Sequence, residues 1–299
     1  MTDSLQNNRL MDRDVQVILD IYKHRYLSVS QIATLNFPSV QTARRRLRVL
    51  TADNYVGGFT APGTPETIYY LERKGAEIVA SYLQVSLSDL KWVRNTRTPK
   101  DYYFLRHFLK ANDFRIALTQ AIESMNTGIK LLGYIPEYYG ERTDRGGAVK
   151  YIRDFICDMH DQSVVIHHTP DAVFALEKDG KPALFFLEVD RGTEALTNPE
   201  KGFLKCLHFY LNYWVSGKYQ RYQEDFKCEP FRNFRTLFVT TSQARIDNMR
   251  QATHNVSIDP PQVKRFIWLT PDDRLARDSM FQSIWYSADS ADTNLYRIG

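Results

Sequence analysis

Three carboxylates are spaced so that they could share a cation. Asp171 follows a proline at the start of one apolar stretch, AVFAL. Glu188 and Asp190 stand at the end of the next, ALFFLEVD. Between the stretches, Glu177–Lys181 (EKDGK) reads as a hairpin turn. Residues two apart on a strand share a face, so Glu188 and Asp190 are expected to look across the hairpin at Asp171. Clustered carboxylates repel one another unless a cation sits among them. Hard oxygen ligands select Mg²⁺, Mn²⁺ or Ca²⁺, and such an ion beside a phosphate generates hydroxide and stabilises a leaving oxygen. The plainer alternatives stay open: Pro170-Asp171 as an ordinary turn, and Asp190-Arg191-Gly192 as a salt-bridged strand end.

A second constellation is basic. After Ser39, Val40, Ala43, Leu47 and Leu50 recur at helical spacing. Gln41, Arg44, Arg45 and Arg48 fall on the opposite side, a row of forks suited to phosphates and to guanine edges in the major groove. With Thr42, these are the expected DNA-binding residues. The reading as a plain solvated helix face is the alternative.

The elements that must position this row lie around it. Asp14 to His24 carries Val15, Ile18, Leu19 and Tyr22 as a helical stripe. Ser28 to Gln31 has a capping-box pattern opening a short second helix that ends at Phe37-Pro38. Tyr55–Phe59 and Thr67–Leu71 read as strands, with a Pro/Gly-punctuated turn at Thr60 to Glu66 as a wing. A further helix runs from about Glu72 to Leu83. Helix–helix–helix–hairpin is the order of a winged helix-turn-helix, expected over residues 1–85, and residues 86–100 read as a polar, basic linker.

Charge agrees with this division. Residues 1–100 hold 14 Lys+Arg against 9 Asp+Glu, whereas the whole chain has 39 against 35. The basic excess therefore belongs to the N-terminal part, the electrostatic footprint of a nucleic-acid partner. Double-stranded DNA is the expected partner, and a homodimer is left open. Cys157, Cys206 and Cys228 lack the short spacing of a zinc clip and read as reduced thiols. No apolar run approaches the roughly 18 residues of a membrane span, and the polar start has no signal-peptide stretch, so a cytoplasmic protein without a membrane partner is expected. Phosphate-binding loops, dinucleotide fingerprints, nucleophile elbows and HExxH helices are absent from the sequence.

Residues 101–299 read as α/β. A helix spans Tyr102 to Met125, with Phe104, Phe108 and Leu118 among its apolar positions. A strand follows at Ile129–Pro136, then a charged loop at Gly140–Lys150. Val164–Ile166 begins a strand, and Ala172–Leu176 continues the same sheet. Ala183–Val189, apolar almost throughout, is expected to be buried on both faces. A helix from Lys201 to Val215, a strand at Thr236–Thr240, a helix from Ser242 to His254 and a last strand at Arg265–Leu269 complete the order. The chain as a whole is expected to be α+β.

The strand–turn–strand with Pro-Asp, then Glu-x-Asp before a helix and strand, resembles the core of the PD-(D/E)xK nucleases. The chain more specifically resembles the replication-relaxation proteins of plasmids and other mobile elements, through TARRRLRVL, RHFLKANDFRIAL, TPDAVFAL, LFFLEVDRGTEAL and the helix bearing Lys201, Lys205 and Tyr210. That family is linked to the MobC-type plasmid relaxases. The resemblance implies a restriction-endonuclease-like mixed-sheet domain, Mg or Mn as cofactor, and single-strand nicking, and it leaves other mobilisation or replication proteins open as partners. It makes Asp171 the metal-binding Asp and Glu188 the Glu of the ExK motif. Asp190 replaces that motif's lysine, and Lys205, Lys201 or Arg191 would have to supply the cation. Asp171, Glu188, Asp190 and Lys205 are thus the expected catalytic set, with the three carboxylates as metal ligands. If no lysine reaches them, the domain is a non-catalytic scaffold of a DNA-binding factor. Glu137, His107 and Asp113 are weaker candidates for the same pocket, and of the neighbours His167 and His168 one at most can face it. Tyr210 and Tyr213 would suit a tyrosine nucleophile but also read as core aromatics.

Overall fold

A computed structural model describes residues 10–62, 66–90, 92, 102–144, 147–192, 196, 202–256 and 261–299. The fold is α+β, and the chain divides into two compact units between Asp113 and Phe114.

The first unit holds α1 (Asp12–His24), β1 (Leu27–Ser28), α2 (Val29–Asn36), α3 (Val40–Ala52), β2 (Val56–Thr60), β3 (Thr67–Leu71) and α4 (Arg73–Leu83). Between α1 and α2 the chain forms the short strand β1. β1 pairs antiparallel with β3, which also pairs with β2, giving a three-stranded sheet in the order β1-β3-β2. The α2 capping box forms as expected. Ser28 Oγ accepts from the Gln31 amide at 3.2 Å, and Gln31 Oε1 accepts from the Ser28 amide at 3.0 Å. α1 is rotated from its expected stripe: Val17, Ile18 and Ile21 are fully buried, with Asp14 and Asp20 beside them. The buried carboxylates are tolerated because each is hydrogen-bonded, Asp14 to Arg46 and Asp20 to Gln16 and Asn36. In the hairpin, Gly57 faces Tyr70 across the strands. A Cβ there would lie 2.3 Å from the tyrosine ring, so only glycine lets the ring lie flat over β2.

α5 (Tyr102–Ser124) runs through the point of division. Its Phe104, read as one of the apolar positions, is 72% exposed, whereas Leu105 is buried. In the expected linker, described in part, Leu90 is buried and Trp92 Nε1 donates to the Leu71 carbonyl at 3.1 Å.

The second unit continues with β4 (Ile129–Pro136), β5 (Glu141–Asp144), β6 (Gly147–Lys150), β7 (Asp154–Cys157), β8 (Val165–His168), β9 (Ala172–Lys178), β10 (Lys181–Val189), α6 (Gly202–Ser216), α7 (Tyr222–Phe226), β11 (Phe234–Thr240), α8 (Gln243–His254), β12 (Ile267–Pro271), β13 (Trp285–Ser287) and β14 (Leu295–Tyr296). Seven strands form one mixed sheet in the order β14-β13-β12-β11-β10-β9-β4. β9 and β10 are an antiparallel hairpin, whereas β10, β11 and β12 run parallel, joined by α6 with α7 and then by α8. The residues from Leu184 to Val189 are all buried, as a central strand covered on both faces requires.

Three expectations change. The Gly140–Lys150 loop contains the β5–β6 hairpin. β8 pairs with β7 in a separate two-stranded sheet and does not continue into β9. Two strands follow the one expected to be last. Tyr210, Tyr213, Phe186 and Phe234 pack ring against ring beneath the sheet, at 0 to 2% exposure. Among the described residues, no helix is long and apolar enough to cross a membrane.

Candidate functional site

In the first unit, α3 separates its arginines by task. Ser39 caps the helix, its Oγ accepting from the Thr42 amide at 3.2 Å. Ala43, Leu47 and Leu50 are buried, whereas Val40 is half-buried. Arg46 turns toward α1, where Nε and Nη2 donate to the two oxygens of fully buried Asp14 at 2.6 and 2.5 Å. This bidentate pair fixes the roll of α3. Gln41, Thr42, Arg44, Arg45 and Arg48 are consequently all exposed. Among the described residues, no carboxylate forms an ion pair with Arg44, Arg45 or Arg48. The basic face extends toward the hairpin: burial pushes the Tyr69 hydroxyl up, and the charges of Arg44 and Arg48 oppose that. Thr60 and Glu66 border the expected wing, whose tip, residues 63–65, lies outside the described residues. Glu66 accepts from the Ser30 amide at 3.1 Å and from the Ser30 hydroxyl, joining the start of β3 to α2.

In the second unit, the hairpin register sets Asp171 beside Glu188. Ala172 pairs with Leu187, the Asp171 amide donates to the Leu187 carbonyl at 3.0 Å, and Asp171 Oδ2 accepts from the Val189 amide at 2.7 Å. Glu188, 8% exposed, points at α6 and β8. Its Oε1 meets His168 Nε2 at 2.6 Å and accepts from the Tyr210 hydroxyl. His168 Nδ1 lies 4.0 Å from Cys206 Sγ. Burial pushes the Glu188 carboxyl up; the His168 charge and hydrogen bond oppose this, and nearby Asp171 reinforces it. For His168, burial disfavours the charged ring, but Glu188 and Cys206 outweigh it and hold the imidazole well above its ordinary value.

Asp190 has different partners. Arg245 of α8 grips it with Nε at 2.9 Å and Nη2 at 3.0 Å, and Thr240 Oγ1 donates to it at 2.7 Å. Lys205 is half-buried, and its charge acts on His167; among the described residues it pairs with neither Asp171 nor Glu188. Lys201 lies outside the described residues. Glu137 is paired with Lys150, and Asp113 accepts from Gln31 at 2.7 Å within the first unit. His107 is half-buried. Of the two neighbouring histidines, His168 is the one that turns inward, while His167 packs on Phe155. Tyr210 and Tyr213 are fully buried, with hydroxyls donating to Glu188 and Asp154.

The partners missing from the sequence reading are Cys206, Arg245 and the Asp14–Arg46 pair. The only signal for any of them was that Cys206, Tyr210 and Tyr213 recur at helical spacing on the face that α6 turns to the sheet.

No curated protein matches the chain in sequence. The replication-relaxation family model, by contrast, matches residues 19–227, more than half of the chain, and the protein belongs to the replication-relaxation family.

Proposed function

We propose that residues 1–85 form a winged helix-turn-helix that binds double-stranded DNA through α3. Family membership connects the chain with plasmid or mobile-element replication or mobilisation, and duplex binding is the molecular step that this reading assigns to it. One observation carries it. Of the four α3 arginines, Arg46 is consumed by Asp14, and Arg44, Arg45 and Arg48 keep exposed guanidinium groups with no carboxylate in ion-pair contact among the described residues, although the Arg44 charge acts on Glu66. A buried pair that sets the roll of a helix, with unpaired forks on its outer face, suits insertion into a major groove. Titration of labelled duplex with the full chain tests the reading. Replacing Arg44, Arg45 and Arg48 by Ala should weaken binding at least tenfold, because a bidentate arginine–guanine pair is worth about 1–3 kcal/mol. Unchanged affinity would remove α3 from the interface.

The hairpin, the buried central strand and the parallel crossovers also support reading the second unit as PD-(D/E)xK-like. Its charged groups favour a scaffold over a metal-dependent nickase. An Mg²⁺ or Mn²⁺ ion needs free oxygens from Asp171, Glu188 and Asp190. Arg245 instead occupies both Asp190 oxygens, which breaks the three-carboxylate set, and Asp171 Oδ2 accepts from the Val189 amide. Supercoiled DNA incubated with the full chain and either ion should stay intact. Metal-dependent nicking that disappears in Glu188→Ala would reverse the assignment.

A further inference from the structure

We propose that His168, Glu188 and Cys206 form a binding site for Zn²⁺. The three residues arrive from different elements: His168 from the end of β8, Glu188 from β10 and Cys206 from the second turn of α6. Their donor atoms all lie within 4.8 Å of one another. A tetrahedral zinc with bonds of about 2.0–2.3 Å keeps its ligands roughly 3.5 Å apart. The 4.0 Å between Cys206 Sγ and His168 Nδ1 is already close to that spacing. An imidazole gives one ion one nitrogen, so with Nδ1 as the ligand the Glu188 carboxylate would leave Nε2, now 2.6 Å from its Oε1, and turn to the ion.

The donor set is selective. One thiolate, one imidazole and one carboxylate suit a borderline-soft cation and disfavour Mg²⁺ or Ca²⁺, which take oxygen ligands. The charges also close: a divalent ion with a thiolate, a carboxylate and a neutral ring sums to zero, as a largely buried site requires. The thiol and ring protons leave to solvent as the ion enters. The Tyr210 hydroxyl, which donates to Glu188 Oε1, would hold the carboxylate's orientation. Such an ion would fasten the small β7–β8 sheet to the central sheet and α6.

The test is titration of the metal-free full chain with Co²⁺ alone as a spectroscopic stand-in for Zn²⁺. The expected result is one equivalent bound, with a thiolate-to-cobalt charge-transfer band that Zn²⁺ removes. Cys206→Ser should abolish the band, whereas Cys157→Ser and Cys228→Ser should keep it. Tyr210→Phe should weaken binding by about 10- to 100-fold, the usual effect of removing a group that orients a ligand. Circular dichroism and cooperative urea unfolding of Cys206→Ser establish that the variant is folded. No band in the wild-type chain, or a band that survives Cys206→Ser in the folded variant, would overturn the proposal. The outcome is independent of nicking and of α3.

Discussion

The α3 face and the Glu188 pocket handle charge in opposite ways. On α3, one arginine of four is neutralised, and the other three stand in solvent without an ion-pair partner among the described residues. Around Glu188, each of the three carboxylates meets a partner: His168 and Tyr210 on Glu188, Arg245 and Thr240 on Asp190, the Val189 amide on Asp171. Burial enforces the second arrangement, because an unpaired ion out of water is costly. Solvent permits the first, and exposed cations retain their interaction free energy for an anionic partner. Charged residues of similar appearance in a sequence thus serve stability in one region and binding in the other.

The sharpest way to break this comparison is on α3 itself. Arg46→Ala leaves the Asp14 carboxylate buried without its guanidinium, and the first unit should lose about 3 kcal/mol of stability. Arg45→Ala, one position away, should leave stability within about 0.5 kcal/mol, as exposed substitutions do, while weakening duplex binding. Thermal or urea unfolding of both variants checks this. Equal stability losses would dissolve the division of labour on the helix.

A smaller effect is expected in the pocket. Tyr210→Phe removes one hydrogen bond to Glu188 and keeps the ring in the core, costing about 1 kcal/mol. Urea unfolding followed by near-ultraviolet circular dichroism measures it. A neutral substitution would mean that the hydroxyl is not needed to satisfy Glu188.

The smallest concerns Glu66. Burial raises its carboxyl, but the Ser30 hydroxyl and amide outweigh that and hold it below the ordinary carboxylate value. A lowered folded-state value contributes stability above the unfolded value of about 4.3, and that stability is lost as pH falls through the folded value. Glu66→Gln should therefore be less stable than wild type at neutral pH, and the gap should close in acid. A gap that is constant with pH would show that Glu66 acts through shape alone.

What could be read in the sequence follows physical range. The β9–β10 hairpin and the neighbourhood of Asp171 and Glu188 were legible because a local turn fixes their register. The two faces of α3 and the Ser28–Gln31 box were legible because they are set within a few residues. His168 could be narrowed to one of two by alternation, but choosing it requires the β7–β8 pairing, formed by strands of four residues each, too short for a clear pattern. Asp190 was expected to face Asp171 and Glu188. Its engagement by Arg245, 55 positions later, depends on how α8 packs on the sheet, which no local spacing encodes. Phe104 was read among the apolar positions of its helix, yet it is exposed.

The central claim, that α3 is the DNA-binding surface, is tested most directly by salt. Each phosphate neutralised adds about 0.9 to the slope of log affinity against log salt concentration. Measured with the full chain on one duplex, Arg44→Ala/Arg45→Ala/Arg48→Ala should flatten that slope by up to about 2.7 if all three arginines meet phosphates. Parallel lines of equal affinity for the variant and the wild-type chain would contradict the account.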